Sequence, residues 1–217
     1  MMKKGLILGL VISGLVSTPM FALSLKVAPA GGITWALGEE IEESDLGFSA
    51  GGTVELEVWK GFDYGLRYYY SKAPTVFTDS MLFDTLETTV DATFAHHVFQ
   101  LTNTWSPGWK MFDPYIRGAA GLYFWQQQDE DGELFEMINV NPEDNTDTTS
   151  IYEMKGTNFG ISLGGGLRIW PTDFLGFRLG ADFDLVFSEN RGDFGSQDAN
   201  ENLLRVGADI VFRFPIK

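Results

Sequence analysis

Arginines and carboxylates recur at every second position along several segments of this sequence. Six arginines and five carboxylates share this placement: Glu55, Glu57, Arg67, Arg117, Arg168, Arg178, Asp182, Asp184, Arg205, Asp209 and Arg213. A guanidinium group pairs with a carboxylate through two parallel hydrogen bonds, an arrangement suited to confined spaces. The set therefore predicts an internal network of ion pairs, provided that the segments carrying these residues bring them onto one face.

Two further groups of residues are of types that bind metal ions. Acidic residues cluster at Asp129–Glu133 and at Asn141–Asp147, although their spacing is not that of an EF-hand loop. The two histidines, His96 and His97, are adjacent, and adjacent residues of a strand point to opposite faces. We therefore expect no catalytic, cofactor or metal site. The acidic clusters are candidate sites for divalent cations or for surface partners.

Apolar and polar residues alternate with a period of two, the pattern of β-strands that have two different faces. In Leu175–Ser188 the odd positions are apolar, whereas the even positions include Arg178 and Asp182. Pro29, with Gly31 close behind it, predicts a bulge or bend in the first strand. Eight strands are predicted: Leu23–Leu37, Leu46–Val58, Tyr64–Ser71, Val90–Trp105, Pro114–Gln126, Thr157–Trp170, Leu175–Ser188 and Leu204–Phe214.

The connections between the predicted strands alternate in length. The short ones are Lys60–Asp63, Ser106–Asp113 and Pro171–Phe174, and the long ones are Gly38–Asp45, Lys72–Thr89, Gln127–Lys155 and Glu189–Glu201. The four long connections hold 21 of the 30 acidic residues. Short turns at one end and long loops at the other are typical of transmembrane β-barrels. The negative charge is therefore expected at one end of the molecule.

The N-terminal residues 1–22 have the composition of a secretory signal peptide, which leaves 23–217 as one barrel domain. Lys3 and Lys4 precede an apolar run, Gly5–Val16, that is too short to cross a bilayer. The net charge of −15 argues against binding to nucleic acid, whose phosphates would repel it. The absence of cysteine excludes disulfides and thiolate metal sites.

The aromatic residues distinguish a membrane barrel from a soluble sandwich or lipocalin, whose apolar face points inward. All six tryptophans lie at or just beyond predicted strand ends. One predicted belt, on the short-turn side, contains Trp59, Phe62, Tyr64, Trp105, Trp109, Phe112, Tyr115 and Trp170, and the other contains Trp35, Tyr70, Phe94 and Trp125. Two such belts are typical of the girdles at membrane interfaces. The predicted fold is all-β, an eight-stranded antiparallel up-and-down transmembrane β-barrel.

Three segments carry a resemblance to a known group of proteins. They are Asp113–Phe124, Asn158–Arg168 and Leu175–Asp182, and they resemble strands of the OmpA-type and OmpW-type small outer-membrane barrels. The resemblance implies location in the outer membrane of a Gram-negative bacterium, with lipid and lipopolysaccharide as neighbours. Two departures are present: we expect no peptidoglycan-binding domain after the last strand, and the chain does not end on an aromatic residue. Outer-membrane lipid A deacylases use a His-x-Ser element. Here His97 is followed by Val98 and Phe99, so the serine of that element is missing.

Two functions remain open from the sequence. In the first, the protein is a structural or anchoring barrel without enzymatic activity, whose acidic loops serve interaction or adhesion; an eight-stranded lumen is just filled by side chains, and unpaired buried charges are costly. In the second, it is a narrow OmpW-like channel for small apolar molecules or ions. That alternative depends on the resemblance and on Gly160, Gly164, Gly165 and Gly166, which would leave lateral room.

Overall fold

The structure is a computed structural model, and it describes residues 24–37, 41–79, 88–128, 132–134, 136–140, 149–153, 155–187 and 202–216. The predicted signal peptide, 1–22, lies outside these residues and stays a prediction. No helix within these ranges is long and apolar enough to cross a lipid bilayer. Their secondary structure consists of eleven strands: β1 (Ser24–Leu37), β2 (Ile41–Ser44), β3 (Gly47–Trp59), β4 (Phe62–Asp79), β5 (Thr88–Trp105), β6 (Phe112–Gln128), β7 (Glu136–Val140), β8 (Thr149–Glu153), β9 (Lys155–Ile169), β10 (Leu175–Phe187) and β11 (Asn202–Pro215).

Eight of these strands form a closed antiparallel barrel. Their order around the barrel is β4, β3, β1, β11, β10, β9, β6, β5, and pairing between β5 and β4 closes the ring. If hydrogen-bonded neighbours are followed once around the barrel from Phe62, the path returns to β4 at Lys72, ten residues further along. Such a stagger requires strands tilted by roughly 40° from the barrel axis. The predicted fold is confirmed.

The two faces of the barrel wall differ as the alternation predicts. On β10, Phe177 and Leu179 are 42% and 51% exposed, whereas Arg178 between them is 1% exposed. The same alternation runs through the other barrel strands, with mainly apolar side chains outside and most of the polar side chains inside. Because the hydrophobic residues face away from the barrel axis, this wall is the inverse of a soluble barrel.

The first strand is more regular than predicted. β1 pairs with both neighbours without a shift in register, and Pro29 lies opposite Gly52 on β3. The predicted bulge is therefore wrong. Pro29 is exposed on the outer face, and the ladders on both sides continue past it because only one N–H is missing.

The long connections contain more β-structure than predicted. β4 and β5 remain paired as far as Asp79 and Thr88, so the predicted loop Lys72–Thr89 is largely a continuation of this hairpin. β2 extends along the outer end of β4, and β7 pairs with β8 inside the predicted loop Gln127–Lys155. The short connections are tight, and Gly61 adopts a positive φ of 82° between β3 and β4.

Candidate functional site: the charged barrel interior

The structure places all eleven ionisable residues of the alternating set on the inner face of the wall. Nine of them are buried, and Asp209 and Arg213 are partly exposed. Since the interior brings together strands that are far apart in sequence, each arginine meets carboxylates that local spacing does not reveal. Three layers of ion pairs follow one another along the barrel.

The layer nearest the middle is centred on Asp182. Its carboxylate accepts hydrogen bonds from Arg67 at 2.9 Å and from Arg117 at 2.7 Å, and Arg205 lies 3.8 Å away. Asp184, two residues further along β10, accepts from Arg205 Nε at 3.1 Å and from the Tyr69 hydroxyl at 2.5 Å. Each carboxylate thereby has several donors, which offsets the cost of removing these charges from water.

Gln100 on β5 connects Arg67 of this layer to Tyr123 on β6. Its side-chain oxygen accepts from Arg67 Nε at 2.8 Å, and its nitrogen donates to the Tyr123 hydroxyl at 2.5 Å. Ser162 is 3.3 Å from the guanidinium of Arg67. Arg67 is therefore held by partners on three different strands.

The second layer is centred on Arg178, one of the most deeply buried side chains. Its guanidinium donates to both oxygens of Glu55, at 3.1 and 3.0 Å, and to Asp209. Thr104 donates to Glu55 at 3.2 Å, and Thr53 accepts from Arg178 at 3.3 Å. This layer has one arginine for two carboxylates, whereas the layer around Asp182 has three for two.

The third layer lies at the short-turn end and includes residues that the sequence pattern does not reveal. Lys26 Nζ is 2.6 Å from Asp63 and 3.5 Å from Glu57. Arg168 is 2.8 Å from the other oxygen of Asp63, and Arg213 donates to Glu57. Asp63 falls in a predicted turn, although its position two residues before Gly65 and four before Arg67 continues the inward period of β4.

The formal charges of the described interior cancel. Seven cationic side chains face inward, namely Lys26, Arg67, Arg117, Arg168, Arg178, Arg205 and Arg213. Seven carboxylates face them: Glu55, Glu57, Asp63, Asp113, Asp182, Asp184 and Asp209. The net charge of the protein therefore lies elsewhere, in the turns and long connections, while the lumen is a neutral, internally paired assembly.

Tyrosine rings separate the layers. The Tyr115 ring has the guanidinium groups of Arg117, Arg168 and Arg178 within 5.3–5.8 Å of its centroid. The Tyr69 ring lies 3.6 Å from the guanidinium of Arg205. Cation–π contacts of this kind are strengthened where water is excluded. The tyrosines therefore add to the stabilisation of the buried cations.

Four aromatic residues assigned to the interfacial belts lie inside the barrel instead. Tyr115 and Phe94 are buried, and the ring of Trp125 packs 6.2 Å from Phe94 and over Gly156. Trp170 lies against the inward-facing Gly176 at the short-turn mouth, 5.4 Å from the guanidinium of Arg213. Their assignment to the belts is wrong because position near a strand end does not specify which face a ring occupies.

Toward the long-loop end the described interior changes from charged to uncharged, with apolar residues beside buried polar ones such as Ser71, His96 and Asn158. It contains one apolar cluster, formed by Ala36, Tyr69, Ala73, Val98, Tyr123, Val186 and Leu203. All of them occupy inward positions in the same alternation that carries the charges further down. The alternating arginines and carboxylates therefore indicate only the charged part of the lumen, and they do not predict the apolar cluster.

One small cavity lies among the charged layers. Its volume is about 40 Å³, and its lining includes Arg67, Arg117, Asp182, Arg205 and Asp209. A cavity of this size with polar walls accommodates roughly three water molecules. Within the described residues, no cluster of three or more His, Asp or Glu side chains has the arrangement of a metal site.

The space beside the β9 glycines is occupied by interior side chains and by neighbouring backbone, so these glycines leave no lateral opening. A Cβ atom on Gly164 would clash with the carboxylate of Asp182, and one on Gly160 would lie 2.5 Å from the ring of Tyr123. A Cβ on Gly166 or Gly165 would meet backbone oxygens of the neighbouring strands. The sequence-based expectation of lateral room at these glycines is therefore wrong.

The remaining candidates for chemistry lie in regular strands. His96 is buried and faces inward, whereas His97 is exposed on the outer face. Two segments match the pattern Gly-x-Ser-x-Gly, Gly47–Gly51 and Gly160–Gly164, but both lie within barrel strands. A hydrolase nucleophile requires a sharp strand-to-helix turn at that serine, which neither segment has.

Comparisons with known proteins support the architecture. No family model and no curated protein matches the sequence. Among solved structures, Neisserial surface protein A aligns with a TM-score of 0.58 at 12% identity, covering 88% of this chain and 97% of that one. The chain has the fold of a small outer-membrane β-barrel. OprG from Pseudomonas aeruginosa aligns with a TM-score of 0.48 at 10% identity, covering 90% of this chain and 98% of that one. A major outer membrane protein from Thermus thermophilus also aligns at 0.48, with 15% identity, covering 88% of this chain and 99% of that one.

Proposed function

We propose that the protein is an integral outer-membrane β-barrel with a structural or anchoring role, which presents its acidic long connections outside the membrane for interaction or adhesion. The observation that carries this proposal is the combination of an apolar outer wall with a lumen closed by paired charges. The first half of the combination argues against a soluble barrel, and the second half argues against an open channel.

The outer wall is apolar, as contact with the hydrocarbon of a bilayer requires. Leu66, Leu101, Ile116, Leu163 and Leu179 are all at least half exposed, and they lie on five different strands around the barrel. Trp59, Trp105, Trp109 and Phe112 are exposed at the short-turn end. An uninterrupted apolar surface would be unfavourable in water, whereas an apolar band about 25 Å tall with aromatic residues at its edge suits a membrane.

The interior supports an anchoring role over conduction. Three layers of ion pairs and the apolar cluster follow one another in the lumen along the axis. The competing hypothesis of a narrow OmpW-like channel depends in part on the β9 glycines, whose free space is occupied by interior side chains or backbone. An ion would have to separate several buried pairs, each at a cost of several kcal/mol.

Fractionation and conductance measurements test the proposal. We expect the mature chain to sediment with outer membranes and to show heat-dependent electrophoretic mobility, as folded barrels do. In planar bilayers we expect no stable channels. Stable conductance by the wild-type protein would favour the channel, and recovery in the soluble fraction would overturn membrane integration itself.

The acidic long connections require a separate test, because most of their acidic residues lie outside the described ranges. We propose divalent cations or a cationic surface partner as the ligands of this region, supported by the concentration of carboxylates in the four long connections. Calorimetric titration of calcium into the folded barrel should give binding that disappears when Asp129, Glu130 and Asp131 are replaced by Asn, Gln and Asn. Equal heats for both proteins would count against this region.

A further inference from the structure

The described part of the outer wall carries very few ionisable side chains, and two of them lie close together in one cluster. Among the described side chains that face outward from the barrel strands, two are charged, Lys72 on β4 and Lys155 on β9, and one more is a histidine, His97 on β5. Lys72 and His97 are diagonal neighbours, because Lys72 pairs with Ala95 and Tyr70 pairs with His97. Diagonal neighbours of this type lie roughly 7–8 Å apart, with their Cβ atoms somewhat closer.

The cluster lies at the height where lipid headgroups begin. Lys72 is ten residues above Phe62 on β4, and His97 is eight residues above Trp105 on β5. With a rise of about 3.3 Å per residue and a tilt of roughly 40°, these positions are about 25 and 20 Å above the short-turn aromatic belt. The apolar band of an outer-membrane barrel is about 25 Å tall. Lys72 and His97 therefore meet the outer interface if the barrel spans the membrane.

His97 is held in place by aromatic neighbours. The Tyr68 hydroxyl is 2.9 Å from His97 Nδ1, and the rings of Tyr70 and His97 are 5.0 Å apart. We assign the hydroxyl as donor to Nδ1, which leaves the imidazole proton on Nε2 as a donor for an external acceptor. Ala95, two residues above on the same face of β5, is too small to cover this position.

A shallow, open apolar groove adjoins the cluster on the outer wall. Tyr68, His97, Phe99 and Phe124 line it on the outer wall. The rings of Tyr68 and Phe99 are 4.8 Å apart, and Phe99 meets Phe124 edge-on at 6.0 Å. A cation and a hydrogen-bond donor at the interface, with an aromatic groove below them, match the two parts of an anionic lipid.

We propose that Lys72 and His97 bind a phosphate group of an outer-leaflet glycolipid of the lipid A type, whose acyl chain occupies the groove of Tyr68, Phe99 and Phe124. Charge complementarity selects this occupant, since none of the ion pairs found among the described residues involves Lys72. The proposal rests on the proposed membrane location. A second copy of the protein or another membrane protein would need a broad apolar contact and would not require Lys72.

Native mass spectrometry tests the site. The folded mature chain is inserted into phosphatidylcholine nanodiscs containing diphosphoryl lipid A, extracted in mild detergent, and weighed with its retained lipid. We expect the wild type to retain one lipid A, K72M and H97L to retain at least tenfold less, and K72R to retain it as the wild type does. K155M is the matched control: it removes an outward lysine three strands away and should change retention less than twofold.

The outcomes separate this site from membrane integration. Heat-dependent mobility in the same nanodiscs reports insertion for every variant, so failure to insert overturns the proposed function together with the site. Normal insertion with equal retention by wild type, K72M and H97L overturns the lipid site alone. Equal losses in K72M and K155M, or equal retention of dephosphorylated lipid A, would also overturn it, and a protein dimer in place of bound lipid would assign the face to a second copy.

Discussion

At the scale of single residues, the interior is organised by a few side chains that each serve several partners. Asp182 is contacted by three arginines, Arg178 by two carboxylates, and Tyr115 by three guanidinium groups. Since each buried charge depends on its neighbours for compensation, removing one member leaves the others unpaired. The consequences of substitution therefore depend on the number of partners and not on the charge alone.

Replacing Asp182 with Asn tests this dependence. The amide cannot neutralise Arg67 and Arg117, so the free energy of unfolding should fall by about 3–5 kcal/mol. Urea-induced unfolding in lipid vesicles, followed by tryptophan fluorescence, measures the change. D173N is the control, because Asp173 is exposed in a short turn and its loss should have almost no effect. A D182N protein as stable as the wild type would show that the ion pairs contribute little.

Glycine positions in the wall provide a second test at this scale. The Cβ of G164A would clash with the Asp182 carboxylate, whereas the Cβ of G118A would meet nothing within 4 Å. Overpacking of a filled interior costs about 1–3 kcal/mol. We expect G164A to be destabilised by that amount and G118A to change little in the same unfolding assay. Equal stabilities would mean that the wall adjusts around the added methyl group.

At the scale of the strands, each residue's environment is decided by the face that it occupies. The outer face of β9 offers two positions at different depths in the proposed membrane. Leu163 lies six residues above Ile169, and Thr157 lies twelve residues above it. At about 2.5 Å of height per residue, Leu163 lies near the middle of the proposed membrane band and Thr157 near its outer edge. The two positions therefore separate lipid exposure from water exposure.

Arginine substitutions on β9 test the membrane depth. L163R should lower the free energy of unfolding by about 2–4 kcal/mol in vesicles, since a cation at the midplane is poorly solvated, and T157R by at most about 1 kcal/mol. The measurement is again urea unfolding in vesicles. If both substitutions are tolerated equally, the outer wall of β9 does not contact lipid tails.

At the scale of the whole molecule, the β7–β8 hairpin is a sheet separate from the barrel. β7 and β8 pair with each other and with no barrel strand, while the eight barrel strands close on themselves. Closure leaves no unpaired barrel edge, so every strand contributes to one cooperative structure. We therefore expect the β7–β8 hairpin to be dispensable for the barrel.

Removal of the β7–β8 hairpin tests this separation. Replacing residues 129–154 with a short Gly-Ser turn should leave heat-dependent mobility intact and change the free energy of unfolding by less than about 1 kcal/mol, because loop length has a small entropic effect. Loss of folding in the shortened protein would show that the hairpin supports the barrel. Deletion of β9 is the control and should abolish folding.

The sequence alone determined the eight barrel strands and the face that their charged side chains occupy, because an alternation of period two is a local property of an extended chain. It predicted that Arg178 faces inward and Leu179 outward, and both do. The pairs themselves were not predictable: Arg178 meets Glu55, 123 residues away, and Arg67 meets Asp182, 115 residues away. The stagger of closure brings those strands to matching heights, and no local pattern contains it. The rings of Tyr115, Trp125 and Trp170 entered the lumen for a similar reason, since the glycines that make room for them lie on other segments.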